Sequence, residues 1–189
     1  MVRQTRFDFA LFAALAAVML VTRTHWISHV VHLPDTVWAS FFLAGFYIRA
    51  RLAFPALFLL GFAIDLVVIG NKGSTSFCFT PAYWMLLPAY GAMWLAGRFS
   101  ARRFGASARA LPAIVGTMLV ALVAAKLLSS GGFYFLSGRF PDASVAGFLP
   151  RMTRYFPPML WSTLIWASLA IAAHALVALL QPRTDDERA

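Results

Sequence analysis

Apolar stretch follows apolar stretch along this chain, and charge is confined to the short segments between them. A helix crosses the hydrocarbon core of a bilayer with about 20 apolar residues, because lipid offers no partner to an unpaired backbone N–H or C=O. Read on that basis, the stretches form helices over residues 7–29, 36–48, 52–70, 81–97, 110–129 and 155–180. Six spans take roughly 120 residues, most of the 189 present. The expected fold class is therefore all-α, a single polytopic membrane domain of six transmembrane helices over residues 1–189. Only 12% of the residues are charged and 61% are hydrophobic, about half the charge of a soluble domain. The start, Met1 to Val21, has Arg3 and Arg6 before an apolar run, as a secretory leader does. No clear small-x-small cleavage site precedes a soluble domain and further spans follow, so this segment is read as the first span.

The net charge of +9 comes from arginines placed between spans, and it reads as orientation rather than nucleic-acid binding. With the N-terminus inside, ten Lys and Arg fall on the cytoplasmic side: Arg3, Arg6, Arg49, Arg51, Arg98, Arg102, Arg103, Arg109, Arg183 and Arg188. Five fall opposite: Arg23, Lys72, Arg139, Arg151 and Arg154. Lys126 lies within a span and is left out. The excess places both termini in the cytoplasm. The loops after spans one, three and five then face outward. Those loops and the helix ends beside them gather His25, His29, His32, Asp65, Cys78, Tyr83, Arg139 and Arg151 at one mouth.

These side chains each have a plain and a chemical reading. Cys78, the lone cysteine, makes an intramolecular disulfide impossible. It is either a small buried hydrophobe or a thiolate, favoured by the following helix start and Lys72. Asp65 is an acid within a span, which is expensive in lipid. It is either half of a structural pair with an arginine or a helix terminus, or an acceptor for a polar ligand. Tyr83 is either part of an aromatic belt or a donor facing a cavity. His25, His29 and His32, at i, i+4 and i+7, share a helical face suited to a metal, or are interfacial residues beside Trp26. His174 reads as structural. Ala10, Ala13, Ala14 and Ala17 form overlapping small-xxx-small pairs that permit close helix approach. The order of Gly70-Asn71-Lys72-Gly73-Ser74-Thr75 is wrong for a phosphate loop, and no H-E-x-x-H or G-x-S-x-G occurs. Any ATP-driven step belongs to another subunit.

The stretch Cys78-Phe79-Thr80-Pro81-Ala82-Tyr83-Trp84, with Asp65 thirteen residues before Cys78, resembles the BtuM family of vitamin B12 transporters. These are relatives of the substrate-binding S-components of energy-coupling factor (ECF) transporters. The resemblance covers the chain in length, helix count and orientation, and is sharp only from Asp65 to Tyr83. It implies a six-helix bundle with a cavity open to the outer face, in which Cys78 ligates the cobalt of cobalamin. Asp65 and Tyr83 are implied to line that cavity, with Arg151, His29 and His25 as weaker carry-overs. An ECF coupling subunit is the implied partner of Ala10, Ala14 and Ala17. A thiolate is a soft, strong donor to a transition metal. On cobalamin's lower face it displaces the nucleotide base, so cobinamide is an expected ligand too. Donation from below weakens the bond above and favours loss of an upper cyano ligand under a reductant, an accessory activity. Two other readings stand beside this one. The first is a cobalt or nickel permease using His25, His29, His32 and Cys78. The second is a membrane enzyme or haem-binding subunit with Cys78 or a histidine as axial ligand.

Overall fold

The computed structural model describes residues 2–24, 33–71 and 80–180. Helix α1 is Val2–Thr24, α2 is Val37–Tyr47 and α3 is Ala53–Asn71. A 3-10 helix, Pro81–Met85, feeds α4, Leu86–Arg103. A 3-10 turn, Ala108–Ala110, opens α5, Leu111–Lys126. A π-helical turn, Leu127–Gly131, then carries the rod into α6, Gly132–Leu136. The last helix, α7, is Val145–Leu180. No strand occurs among the described residues.

Three segments are long and apolar enough to cross a membrane: Gln4–Arg23, Ala108–Leu136 and Val145–Val177. Val37–Tyr47 and Ala53–Val68 are shorter apolar helices. The surface is correspondingly apolar, with Phe9, Leu59, Val120, Trp161 and Leu169 all exposed. So much exposed apolar area marks a contact with lipid or protein rather than water.

Helix α2 is the short member. Its 11 residues rise only about 16 Å, half the hydrocarbon thickness of roughly 30 Å. It can be short because protein surrounds it: none of its residues is exposed, and Phe41, Ala44, Ala39 and Ser40 are almost wholly buried. Irregular backbone at membrane depth is tolerated only when protein satisfies it, and both ends of α2 are satisfied. At the start, the Val37 N–H donates to Asp35 Oδ1 at 3.0 Å and Trp166 Nε1–H donates to the Pro34 carbonyl at 2.8 Å. Ser162 Oγ–H donates to the Asp35 carbonyl. At the finish, Arg98 from α4 donates Nη1–H to the Ile48 carbonyl at 2.8 Å and Nη2–H to the Arg49 carbonyl at 2.7 Å.

The closest helix pair is α2 with α4, and two glycines set it. A Cβ on Gly45 would overlap the Trp94 carbonyl, and one on Gly97 would overlap the Phe42 carbonyl. Each glycine therefore lies against the other helix's backbone, the contact that small residues permit in membrane bundles. Phe41, Phe54, Phe58 and Tyr90 pack around this pair, with Phe41 stacked on Tyr90 at 4.5 Å.

Several boundaries differ from the sequence reading. The last helix starts at Val145, ten residues before the expected Tyr155. The glycine-rich connection expected over residues 130–154 is helical except for residues 137–144. Its glycines serve close packing: a Cβ on Gly132 would stand 2.5 Å from Met85 Cγ, and one on Gly147 2.5 Å from the Tyr134 hydroxyl. Only Gly138, at φ 70°, makes a turn of the left-handed kind. Pro88, expected to kink its helix, lies in the first turn of α4, where the 3-10 geometry gives way to α. A proline is tolerated in a first turn because its missing N–H has no partner to lose.

Overpacking a tight seam costs about 1–3 kcal/mol. Gly45→Ala and Gly97→Ala are each expected to lower the unfolding temperature of the detergent-solubilised protein. Gly116→Ala, whose Cβ meets nothing within 4 Å, leaves it unchanged or raises it. Equal melting of all three variants would remove the seam from this account.

Candidate functional site

A polar cluster joins the C-terminal parts of α1 and α3 to the Pro81–Met85 turn and α4. Its centre is a two-pronged ion pair. Arg23 Nε lies 2.7 Å from Asp65 Oδ1, and Arg23 Nη2 donates to Asp65 Oδ2 at 2.9 Å. Parallel N–H···O bonds of this kind fix orientation as well as charge. Tyr83 Oη–H donates to Asp65 Oδ2 at 2.9 Å. Arg23 Nη1 donates to the Tyr90 hydroxyl oxygen at 3.3 Å. The Arg23 and Asp65 side chains keep 19% and 16% of their exposure, so the cluster is half-buried rather than sealed.

Each member is held from behind. Arg23 closes α1, one turn beyond the wholly buried Met19, and both approach Gly61 of α3. Tyr90 is buried between Phe41 and Phe58, so its ring is fixed and its hydroxyl is presented to Arg23. Tyr83 packs edge-on against Phe62 at 5.6 Å, and Trp84 stacks on the same ring. Asp35 adds a second negative charge near Arg23. The cluster thus holds one guanidinium against two carboxylates and two phenols, on a rigid aromatic base.

Both readings of Asp65 have a counterpart here. Its pairing is structural, with both oxygens engaged by Arg23 and Tyr83. The same bonds hold a carboxylate and a phenol in place at a mostly buried position that solvent still reaches. Arg151 stands apart from Asp65 in its partners. Its guanidinium lies 4.4 Å from the Phe140 ring centroid and 5.5 Å from that of Tyr134. Cys78, His25, His29 and His32 lie outside the described residues. His174 Nδ1 is 3.2 Å from the Tyr47 hydroxyl, a contact tying α2 to α7. Among the described residues no three His, Cys, Asp or Glu gather to hold a metal ion.

Two residues gain a role that the sequence reading did not give them. Arg23 was counted only for orientation. Its signal was that Asp65 sits at the same end of a neighbouring helix and needs a counter-charge. Lys126 was set aside as a charge within a span. It is buried at 8% exposure, with Nζ 5.7 Å from the Tyr155 ring centroid. Neither a protein-family model nor a curated protein matches this chain.

Breaking a half-buried pair falls between the exposed and fully buried cases, at about 2 kcal/mol. Arg23→Gln and Asp65→Asn are each expected to destabilise the protein by that amount in unfolding by SDS in mixed micelles. The double variant should lose less than the sum, because each single change strands its partner. Tyr83→Phe should cost about 1 kcal/mol. Strict additivity of the two single changes would show that the pair is not coupled.

Proposed function

We propose that this chain is a substrate-binding membrane transporter for cobalamin and related corrinoids, capturing them at the outer face with Cys78 as the cobalt ligand. The observation that carries the reading is the Tyr83–Asp65–Arg23 cluster. Asp65 and Tyr83 were selected from sequence as lining one mouth, and they are hydrogen-bonded to each other at 2.9 Å. The 72–79 segment that joins their elements contains Cys78. Cys78 stands two residues before Thr80, and two residues of chain reach at most about 7 Å. A corrinoid offers amide side chains as well as cobalt. A carboxylate, a phenol and a guanidinium on a fixed base are suitable partners for amides.

The resemblance of residues 65–83 to the BtuM family supports the same reading. It brings with it an inner-membrane location, six spans and both termini in the cytoplasm. The positive-inside count supports that orientation. Ala10, Ala14 and Ala17 are exposed along α1, which supports docking of an ECF coupling subunit on that face. Arg151, His25 and His29 are secondary contributors to the mouth.

The test uses full-length protein purified in detergent. Cyanocobalamin and cobinamide should both co-purify and give a red complex with a corrin spectrum. Cys78→Ser should change that spectrum and weaken both ligands; unchanged affinity and spectrum would end the cobalt-ligand proposal. A Soret band instead would identify a haem subunit, and binding of free cobalt or nickel without a corrinoid would identify a permease. Under a reductant, wild type should release the upper cyano ligand faster than Cys78→Ser, read as a spectral shift.

Orientation is tested separately, because Cys78 is the lone cysteine. A membrane-impermeant maleimide should label it from the outer side of intact spheroplasts. Labelling only in inverted vesicles would reverse the topology.

A further inference from the structure

The opposite end of the bundle carries two adjoining cavities that the transport reading does not use. The first, about 290 Å³, is an apolar groove between α2, α5 and α7, walled by residues such as Phe42, Leu111, Val115 and Ile171. Its polar side chains are Tyr47, Ser107 and His174. The second, about 500 Å³, is bordered by Gln4, Arg49, Arg98 and Arg102. Phe46, Tyr47 and Ala106 line both, so the two cavities adjoin.

Among the described residues, the arginines of the second cavity outnumber the carboxylates beside them. Among the described residues, no carboxylate forms an ion pair with Arg49, Arg98 or Arg102. The nearby acid, Asp8, already accepts from Gln4 Nε2 at 2.8 Å and from the Arg49 backbone N–H at 3.1 Å. Arg98 feels the like charges of Arg102 and Arg51 against the single opposing charge of Asp8. Two of Arg98's N–H groups are committed to the Ile48 and Arg49 carbonyls, which fixes its guanidinium at the cavity edge. Arg49 and Arg102 are exposed.

We infer that the paired cavities are a site for one anionic phospholipid, with a fatty-acyl chain in the groove and the phosphate head group among Arg49, Arg98 and Arg102. The argument is complementarity along a single path. A molecule with an apolar tail joined to an anion fits an apolar groove that adjoins a pocket where arginines outnumber carboxylates. A soluble anion has no use for the groove, and a zwitterionic lipid brings a cation that the arginines repel. Basic pockets between helices near the membrane surface bind acidic head groups by this arithmetic. Tyr47 and His174, at the junction, stand where the ester linkages of such a lipid would pass. The inference does not depend on the corrinoid proposal and lies at the other end of the molecule.

The test is native mass spectrometry of the full-length protein with phosphatidylglycerol or phosphatidylcholine at equal concentration. Phosphatidylglycerol should be retained at least tenfold more strongly. Arg49→Gln and Arg102→Gln, both at exposed positions, should each weaken its retention about fivefold, the effect of one basic residue beside an acidic lipid. Ala170→Phe, which narrows the groove, should weaken both lipids. Excess inorganic phosphate should not displace the lipid. Equal retention of the two lipids, or retention unchanged by both arginine substitutions, overturns the inference. Displacement by inorganic phosphate alone would show an anion pocket that does not need the tail, and would overturn it as well. Variants are compared only as monodisperse peaks with wild-type helical circular dichroism. If Ala170→Phe does not meet that standard, the exposed-arginine variants decide the matter.

Discussion

The contact between α2 and α4 governs the rest of this fold. In a bilayer, lipid tails are as apolar as leucine, so helices associate through close packing and polar contacts rather than by escape from solvent. Gly45 and Gly97 let two backbones meet, and that approach buries α2 on every side. A buried helix is released from the need to match the bilayer thickness. Its ends must then find partners within protein, and they do so in Arg98, Trp166 and Ser162. The same seam positions Phe41 to stack on Tyr90, which presents its hydroxyl to Arg23. The polar cluster at one end is thus supported by a packing decision made in the middle of the bundle.

That cluster shows how one expensive charge recruits others. Asp65 on α3 requires a counter-ion at membrane depth. Arg23 supplies it with a forked geometry. Tyr83 donates a further bond to Asp65, and Tyr90 accepts one from Arg23. The bonds connect four separate elements. A ligand that touches Tyr83 or Asp65 therefore acts on α1, α3 and α4 together. The basic end is built on the opposite principle. There, among the described residues, the arginines serve backbone carbonyls or form no ion pair, leaving net positive charge beside an apolar groove.

Much of the site was legible in the sequence because its chemistry is local. An acid inside an apolar stretch is conspicuous, and Tyr83 follows a proline that starts a helix. Arg23 was harder to assign, because its partner is 42 residues away and nothing in the chain records which helices are neighbours. Helix ends showed the same limit. The glycines at positions 131, 132 and 147 suggested a loop, since glycine is a poor helix former. In the fold Gly132 admits Met85 and Gly147 admits the Tyr134 hydroxyl, and all three glycines lie in helical segments. Pro88 suggested a kink, and a preceding 3-10 turn placed it where a proline costs little.

By itself, the sequence determined that this chain is helical and has transmembrane character, and its charge count set an expected orientation. Those properties follow from hydropathy and charge summed along the chain, which need no knowledge of neighbours. The tertiary structure alone decided that α2 lies buried at half length, that Asp65 is paired with Arg23 and Tyr83, and that a groove adjoins the basic pocket. Each of these depends on which surfaces meet, and helix packing fixes that through shape: two glycines against two carbonyls, set far apart in the chain.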